Sequence, residues 1–360
     1  MMEQMEIAQI TAELLDKCKA CIRRYIVLSE EQAVILAVWI LHTHAFNAAE
    51  TTPYIHITAP DRACGKTRVM EVLEQLVNNP IRSGGMTPAS IVRIVAEKRP
   101  TLFLDEMDSQ FGANNEYAEA IRGILNEGFR KKGVFIKCVG DDFKPTEFPV
   151  FSPKCFAGIG RLPDTVASRS IPIEMVRKLP SEKVRPFRER EVAAATLPIR
   201  KTLKAWAAPQ IIKLLQDSRP APIAGLSDRQ NDMAEPLLCI AQLAGDEWLQ
   251  RLTKSLKTIF KANDSEDLSI GTSLLADIRS IYDEMDTDTL DSVSLAARLC
   301  EIQESPWASL ANGRKMTPHL LARMLRRFRI MPTKFRIGSE TFRGYKRGDF
   351  EELWLRYLSS

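Results

Sequence analysis

The chain has 360 residues, 45% of them hydrophobic and 27% charged, with a formal charge of +4, a composition ordinary for two or three globular domains. Its longest apolar run, Ala33 to Leu41, is far short of the roughly 18 residues a membrane span needs, and no charged start with an apolar stretch and cleavage site opens it. Seven scattered cysteines, an odd number, argue against a disulfide framework and for a reducing compartment, so a cytoplasmic protein without a membrane partner is expected.

Helix-period apolar residues run over Ile7 to Tyr25 and Glu30 to Phe46, predicting a helical lead-in over residues 1–50. Cys18 and Cys21 form the only CxxC and read as helix-packing thiols, since no second pair stands at zinc spacing. His42 and His44, two apart on a helix, point to different faces, which disfavours a shared metal.

The most informative stretch follows, YIHITAPDRACGKT, Tyr54 to Thr67. A short strand stops at a turn and delivers Gly65, Lys66 and Thr67 to the start of an amphipathic helix, the parts of a phosphate-binding loop. Backbone N–H groups at a helix start would face the β-phosphate, the Lys66 ammonium would reach the β and γ oxygens, and the Thr67 hydroxyl would hold Mg²⁺. Pro60, Asp61, Arg62, Ala63, Cys64, Gly65, Lys66, Thr67 and Arg68 make up the candidate nucleotide contacts; Pro60 stands where the usual pattern has glycine. About 40 residues on, TLFLDEMD, Thr101 to Asp108, is an apolar strand ending in carboxylates. Asp105 would hold Mg²⁺ through water and Glu106 would polarise the attacking water. Loop and acidic strand, one strand–helix unit apart, predict ATP and Mg²⁺ as ligands.

Further signals alternate: helix from Thr67, a short strand near Ile81, helix Pro88 to Glu97, strand Thr101 to Asp105, helix Glu116 to Phe129, strands Lys154 to Gly158 and Ser170 to Glu174. Such alternation implies a mainly parallel sheet with helices on both faces and nucleotide at its carboxyl edge. The core is expected over residues 51–178, with a β-hairpin insertion near 130–151: Val134 to Val139, the turn Gly140-Asp141-Asp142, and a return over Phe143 to Phe151. Lys131, Lys132, Lys137 and Lys144 belong either to a solvated insertion or to a hairpin contacting a nucleic-acid backbone inside a ring.

The lead-in LAVWILHTHAF, the loop APDRACGKT, the strand FLDEMD, the run AGIGRLPDTVASRS and the later GLSDRQNDMAEPLLCIAQLAGDEW together resemble, in order and spacing, the AAA+ P-loop ATPase domains of phage and other mobile elements. These are helicase-like domains, often beside primase modules, of the domain-of-unknown-function 3631 type. The resemblance implies an α/β AAA+ core with N-terminal helices, an all-helical lid and a C-terminal winged-helix-like domain. It implies a homo-oligomeric ring, a hexamer, with a primase or initiator as further partner. It also implies that Arg169 is an arginine finger reaching a neighbour's γ-phosphate, with Arg161 as competing candidate, and that Arg229 is a lid arginine sensing nucleotide in cis. A structural salt bridge is the alternative for Arg169 and Arg161, and a surface charge at a helix start is the alternative for Arg229.

After Lys178 the pattern is helical, with periodic segments Glu189 to Gln216 and Ala234 to Ile259, giving a lid over residues 179–284 that moves against the core. A polar stretch, Glu284 to Asp291, leads to a basic domain over 285–360. Pro306 to Ser360 holds twelve Lys and Arg against four Asp and Glu, a net +8 in a chain of +4, which marks a nucleic-acid-facing end. HLLARMLRRFRI after Thr317-Pro318 predicts a helix with Leu321, Met324, Leu325 and Phe328 on one face and Arg323, Arg326 and Arg327 on others. A hairpin over Lys334 to Tyr345 and a closing helix over Asp349 to Leu358 complete a winged-helix-like order, with Arg336, Arg343, Lys346 and Arg347 around the wing; a basic cap for subunit contacts is the alternative. The expected function is an ATP-driven motor on single-stranded or duplex DNA, a replicative helicase or replication-initiation ATPase of a phage, plasmid or integrated element. The alternatives are a loader or remodeller that does not unwind, and a nucleotide-switched DNA-binding initiator.

Overall fold

A computed structural model gives the fold; it describes residues 2–59, 64–83, 85–105, 116–139, 144–158, 162–302, 305–308, 315–326, 328–337 and 340–358. Two helices open the chain, α1 (Met2–Tyr25) and α2 (Glu30–Ala45). Ser29 and Gln32 start α2 with a reciprocal capping box, each side chain accepting from the other's backbone N–H. Every residue from Ala33 to Thr43 is buried, and a helix apolar on all sides must be covered on all sides. Its polar atoms are paired locally: Trp39 Nε1 donates to Pro53 O at 2.9 Å, and His42 Nε2 lies 2.8 Å from Thr52 Oγ1.

Five strands form the central sheet: β1 (Tyr54–Thr58), β2 (Pro80–Ser83), β3 (Thr101–Leu104), β6 (Lys154–Ala157) and β7 (Ser170–Glu174). They lie in the order β2-β3-β6-β1-β7, every pair parallel. Between them run α3 (Lys66–Glu74), α4 (Pro88–Lys98), α5 (Glu116–Glu127) and the short α6 (Asp164–Ala167). All four residues of β3 and of β6 are buried, as expected of strands covered by helices on both faces. The result is a mixed α/β unit whose strand carboxyl ends share one edge. The strands β4 (Val134–Val139) and β5 (Lys144–Pro149) form a separate antiparallel pair, where Phe135 opposes Phe148 and both pack against the core.

Helices α7 (Glu189–Trp206), α8 (Pro209–Asp217) and α9 (Asp228–Ala244) follow, and α10 (Asp246–Met285) carries the chain onward. The two long periodic segments are therefore each broken. Pro209 disfavours helix at Ala208, which is extended at ψ 158°, and Gly245 at φ 105° ends α9 with a backbone that L side chains rarely adopt. Helices α7 to α9 share one continuous apolar core with α1, α2 and the sheet, so residues 1–261 form one compact unit. The sequence predicts a lid distinct from the core; the all-round burial of α2, against which α1, α7 and α9 pack, joins the two.

The second unit, residues 262–360, starts ahead of the boundary expected at 285. Beyond α10 it holds β8 (Thr289–Asp291), α11 (Ser292–Glu301), α12 (Pro318–Arg326), β9 (Thr333–Ile337), β10 (Glu340–Lys346) and α13 (Gly348–Tyr357). The strands make an antiparallel sheet in the order β8-β10-β9. Strand β8 lies inside the stretch read as a polar linker; three residues are too few for an alternation to show. Asp291 caps α11, its Oδ1 accepting from Val293 N and Ser294 N at 2.9 Å. A separate core of Leu274, Tyr282, Trp307, Leu321, Tyr345 and Phe350 holds the unit together. Among the described residues no helix is long and apolar enough to cross a membrane.

Burial lowers the His42 imidazole to about 3, against an ordinary 6.5. The folded chain then stays neutral there while the unfolded chain takes up a proton, so this contribution to stability falls as pH drops from about 6.5 towards 3. Burial lowers His44 and His56 in the same sense. Urea midpoints followed between pH 7 and 4.5 should therefore decline with acid, and less steeply in His42→Gln; an unchanged slope in that variant would reject the assignment.

Candidate functional site

The loop after β1 meets α3 at Gly65, which has φ 88° and ψ 10° and stands as the N-cap of that helix. A residue with a Cβ is strained at that angle, so glycine lets the chain turn sharply into the helix. The backbone N–H groups of the first turn, which have no intrahelical acceptors, thus open beyond the carboxyl end of β1. Cys64, Gly65, Lys66, Thr67, Arg68 and Glu71 line a cavity of about 330 Å³ there. Arg68 is held within its helix, 2.6 Å from Glu71, and stacks on Phe187 at 4.5 Å. Pro60, Asp61, Arg62 and Ala63 lie outside the described residues.

Asp105 follows directly on β3, at the same edge of the sheet, with β6 between it and β1. Arg82, near the carboxyl end of β2, donates from Nη2 to Asp105 Oδ2 at 2.8 Å and sits 3.4 Å from Glu74 Oε1 on α3. Burial raises the Glu74 carboxyl above its ordinary range, and Arg82 offsets part of that. Arg82 therefore fixes the direction of the Asp105 carboxylate and ties the acidic strand to the loop helix. No sequence motif singles it out; the available signal was a lone cation in a short strand beside the acidic one. Glu106 lies outside the described residues.

The arginines collect at the opposite edge. Arg169 O accepts from Tyr54 N at 3.0 Å, which sets Arg169 at the amino end of β1, roughly 15 Å of strand away from the loop. Its Nη1 donates to Thr165 O. Arg229, in the first turn of α9, stands at the same amino edge: its guanidinium carbon and that of Arg169 each lie 5.9 Å from the ring centroid of Phe129. Thr51 Oγ1 holds this turn by donating to Asp232 O at 2.7 Å. The packing of α9 on α1 and α2 places Arg229 at the opposite edge of the sheet from its own loop. Arg161 lies outside the described residues.

The basic candidates divide. Lys137 and Lys144 are exposed on the hairpin strands. Lys131 and Lys132 precede the hairpin in a turn, where Lys131 lies 3.8 Å from Glu50, so the hairpin proper carries two of the four. In the second unit Arg323 and Arg326 are exposed on α12, whose Leu321 and Leu325 are buried; Arg327 lies outside the described residues. Arg343 opposes Lys334 and Arg336 opposes Thr341, so Lys334, absent from the sequence candidates, shares a hairpin face with Arg336 and Arg343. Lys346 is exposed at the base of β10. Arg347 pairs with Asp283 and lies over the Trp354 ring at 5.7 Å within the unit.

Residues 174–357 match the family described as "Protein of unknown function (DUF3631)". The chain is 30% identical over 185 residues to an uncharacterized 28.9 kDa protein in the xis 5' region of Saccharopolyspora erythraea, covering 51% of this chain and 68% of that one. Among solved structures it is similar to the A form apo structure of the NrS-1 C-terminal region, at 10% identity and a TM-score of 0.39, over 93% of this chain and 75% of that one.

Replacing Arg82 by Ala should leave two partly buried carboxylates without their cation, costing about 1–3 kcal/mol in urea unfolding. Lysine should recover only part, since it cannot fork between two acceptors. Parental stability in the alanine variant would remove Arg82 from this role.

Proposed function

The chain belongs to the family described as Protein of unknown function (DUF3631), and from that premise we propose that it is an AAA+ P-loop ATPase that acts on DNA. The observation carrying this reading is the glycine-capped helix at the carboxyl end of β1, with Asp105 at the same edge two strands over, beyond β6. Parallel sheets bind ligands at such an edge, and a helix N-terminus with Lys66 beside it suits a polyphosphate. The residues fit Mg²⁺ as well, because the Thr67 hydroxyl and Asp105 carboxylate are hard oxygen donors. Bound there, Mg²⁺ would offset negative charge on the β and γ oxygens. The first-turn N–H groups and Lys66 bind the triphosphate, Arg82 orients Asp105, and Glu106 takes the proton of the attacking water. Arg169 serves a neighbouring copy in a ring.

For the second unit, the order helix, β8, α11, α12, hairpin and α13 supports a winged-helix reading, with α12 and the basic hairpin face towards DNA. The name of the Saccharopolyspora relative, with its xis 5' region, is in keeping with replication of a phage, plasmid or integrated element. A second reading, a nucleotide-switched initiator, is favoured by the core that α7 to α9 share with the sheet, which suits a small rearrangement better than a long stroke. Strand displacement by the intact chain separates motor from switch.

Lys66→Ala should abolish ATP binding, whereas Glu106→Gln should bind ATP and fail to hydrolyse it, trapping a loaded assembly. Hydrolysis at the parental rate in the glutamine variant would sink the catalytic assignment. Neutralising Arg323, Arg326, Arg336 and Arg343 together should weaken duplex binding and flatten its salt dependence, by roughly one unit of slope for each phosphate no longer neutralised. An unchanged slope would return the second unit to a subunit-contact role.

A further inference from the structure

The end of α2 borders a second cavity, of about 300 Å³, away from the loop. It lies between that helix end, the residues before β1, the end of α8 and the middle of α9, all within the first unit. Ala45, Ala48, Leu215, Pro236 and Ile240 give it buried apolar walls. Pro236 has no N–H to offer Asp232 O four residues back. Thr51, which also borders the cavity, supplies the donor instead, its Oγ1 at 2.7 Å from that carbonyl. A molecule seated here therefore rests on the contact that fixes the first turn of α9.

One polar group among these walls is only half used. His42 is 1% exposed, its Nε2 lies 2.8 Å from Thr52 Oγ1, and among the described residues its ring makes no other hydrogen bond. Burial keeps the imidazole neutral, so Nδ1 is a donor or an acceptor according to the tautomer. Buried polar atoms are normally paired, and water could serve Nδ1 but would leave the apolar walls wet. The charged lining is exposed and of both signs. Lys131 lies 3.8 Å from Glu50, Arg219 Nη1 donates to Gln216 O and Ser218 O at 2.6 Å, and Glu235 is the second acid. Such a rim favours neither an anion nor a cation.

We propose that this cavity binds an uncharged nitrogen heterocycle of about nine ring atoms, a size suited to the small end of ligand pockets. Its ring nitrogen meets His42 Nδ1 and its carbon skeleton covers the walls. An azole carries both an N–H and a bare nitrogen, so it satisfies either tautomer of His42. The site does not depend on the phosphate loop and stands whether or not the chain hydrolyses ATP.

Indazole is the probe, and indene, the same bicycle without nitrogen, is its control, each titrated calorimetrically into the full chain near neutral pH. Indazole should bind, and indene at least about tenfold more weakly, because it leaves the imidazole nitrogen unpaired. Of the four histidines, His42 should show the shift in ring-nitrogen NMR frequency. Saturating indazole should slow alkylation of Cys239, whose buried thiol borders the cavity, at least about threefold, and leave the exposed Cys138 unchanged. Ala48→Phe should fill the space and abolish binding. Ala45→Leu should weaken it and guards against misfolding of the larger variant, with urea midpoints checked for both. Equal binding of indene would reduce the site to an apolar hole and overturn the proposal. So would indazole binding that neither protects Cys239 nor responds to the filling variants, or no indazole binding at millimolar concentration. Tighter binding of benzoate, lost in Arg219→Ala, would make this an anion site instead.

Discussion

The burial of α2 on every side is the constraint on which the first unit depends. A helix with no polar face cannot lie at a surface, so α1, α7 and α9 must all reach it, and the sheet must close what remains. Gln32 Nε2 donates to Glu174 O at the carboxyl end of β7 at 2.7 Å, while His42 meets Thr52 just before β1. One helix thus spans both edges of the sheet and sets where α9 begins. The position of Arg229 follows from that packing rather than from any contact with the loop.

The parallel sheet then separates two chemistries by the length of its strands. Gly65, Lys66, Thr67 and Asp105 sit at the carboxyl edge, where helix starts and cations favour an anion. Phe129, Arg169 and Arg229 sit at the amino edge. Because β1 links both ends, with Tyr54 N bonded to Arg169 O and Met175 N to Thr58 O at 2.8 Å, neither edge can shift along the sheet without breaking strand pairing.

Much of this was legible in the residues. The strands at Tyr54, Thr101, Lys154 and Ser170, the paired strands from Val134 and Lys144 and the turn into α3 all follow from local pattern, because apolar runs and glycine act over a few residues. What escaped was long-range. Arg82 meets Asp105 only after β2 and β3 pair, and Arg347 meets Asp283 across 64 positions. Strand β8 gains its identity from β10, and the break at Gly245 is hidden by apolar residues that keep helical spacing on both sides. The core that α7 to α9 share with the sheet was hidden for the same reason: periodicity tells that a face is apolar, not which neighbour covers it.

Lys154 shows how the amino edge tolerates its cations. Its ammonium is fully buried, donating to Val150 O at 3.1 Å and to Ser152 O at 2.9 Å, and it lies 5.0 Å from the centroid of the Tyr54 ring. Tyr54 in turn donates to Leu125 O at 2.8 Å, which pins the end of α5 beside Phe129. Burial lowers Lys154 to about 7 from 10.5, so the unfolded chain binds more protons between those values and this group costs less stability as pH rises through them. Near neutrality Lys154 is therefore close to losing its charge. Its carbonyl bonds fix the loop into β6 without a carboxylate.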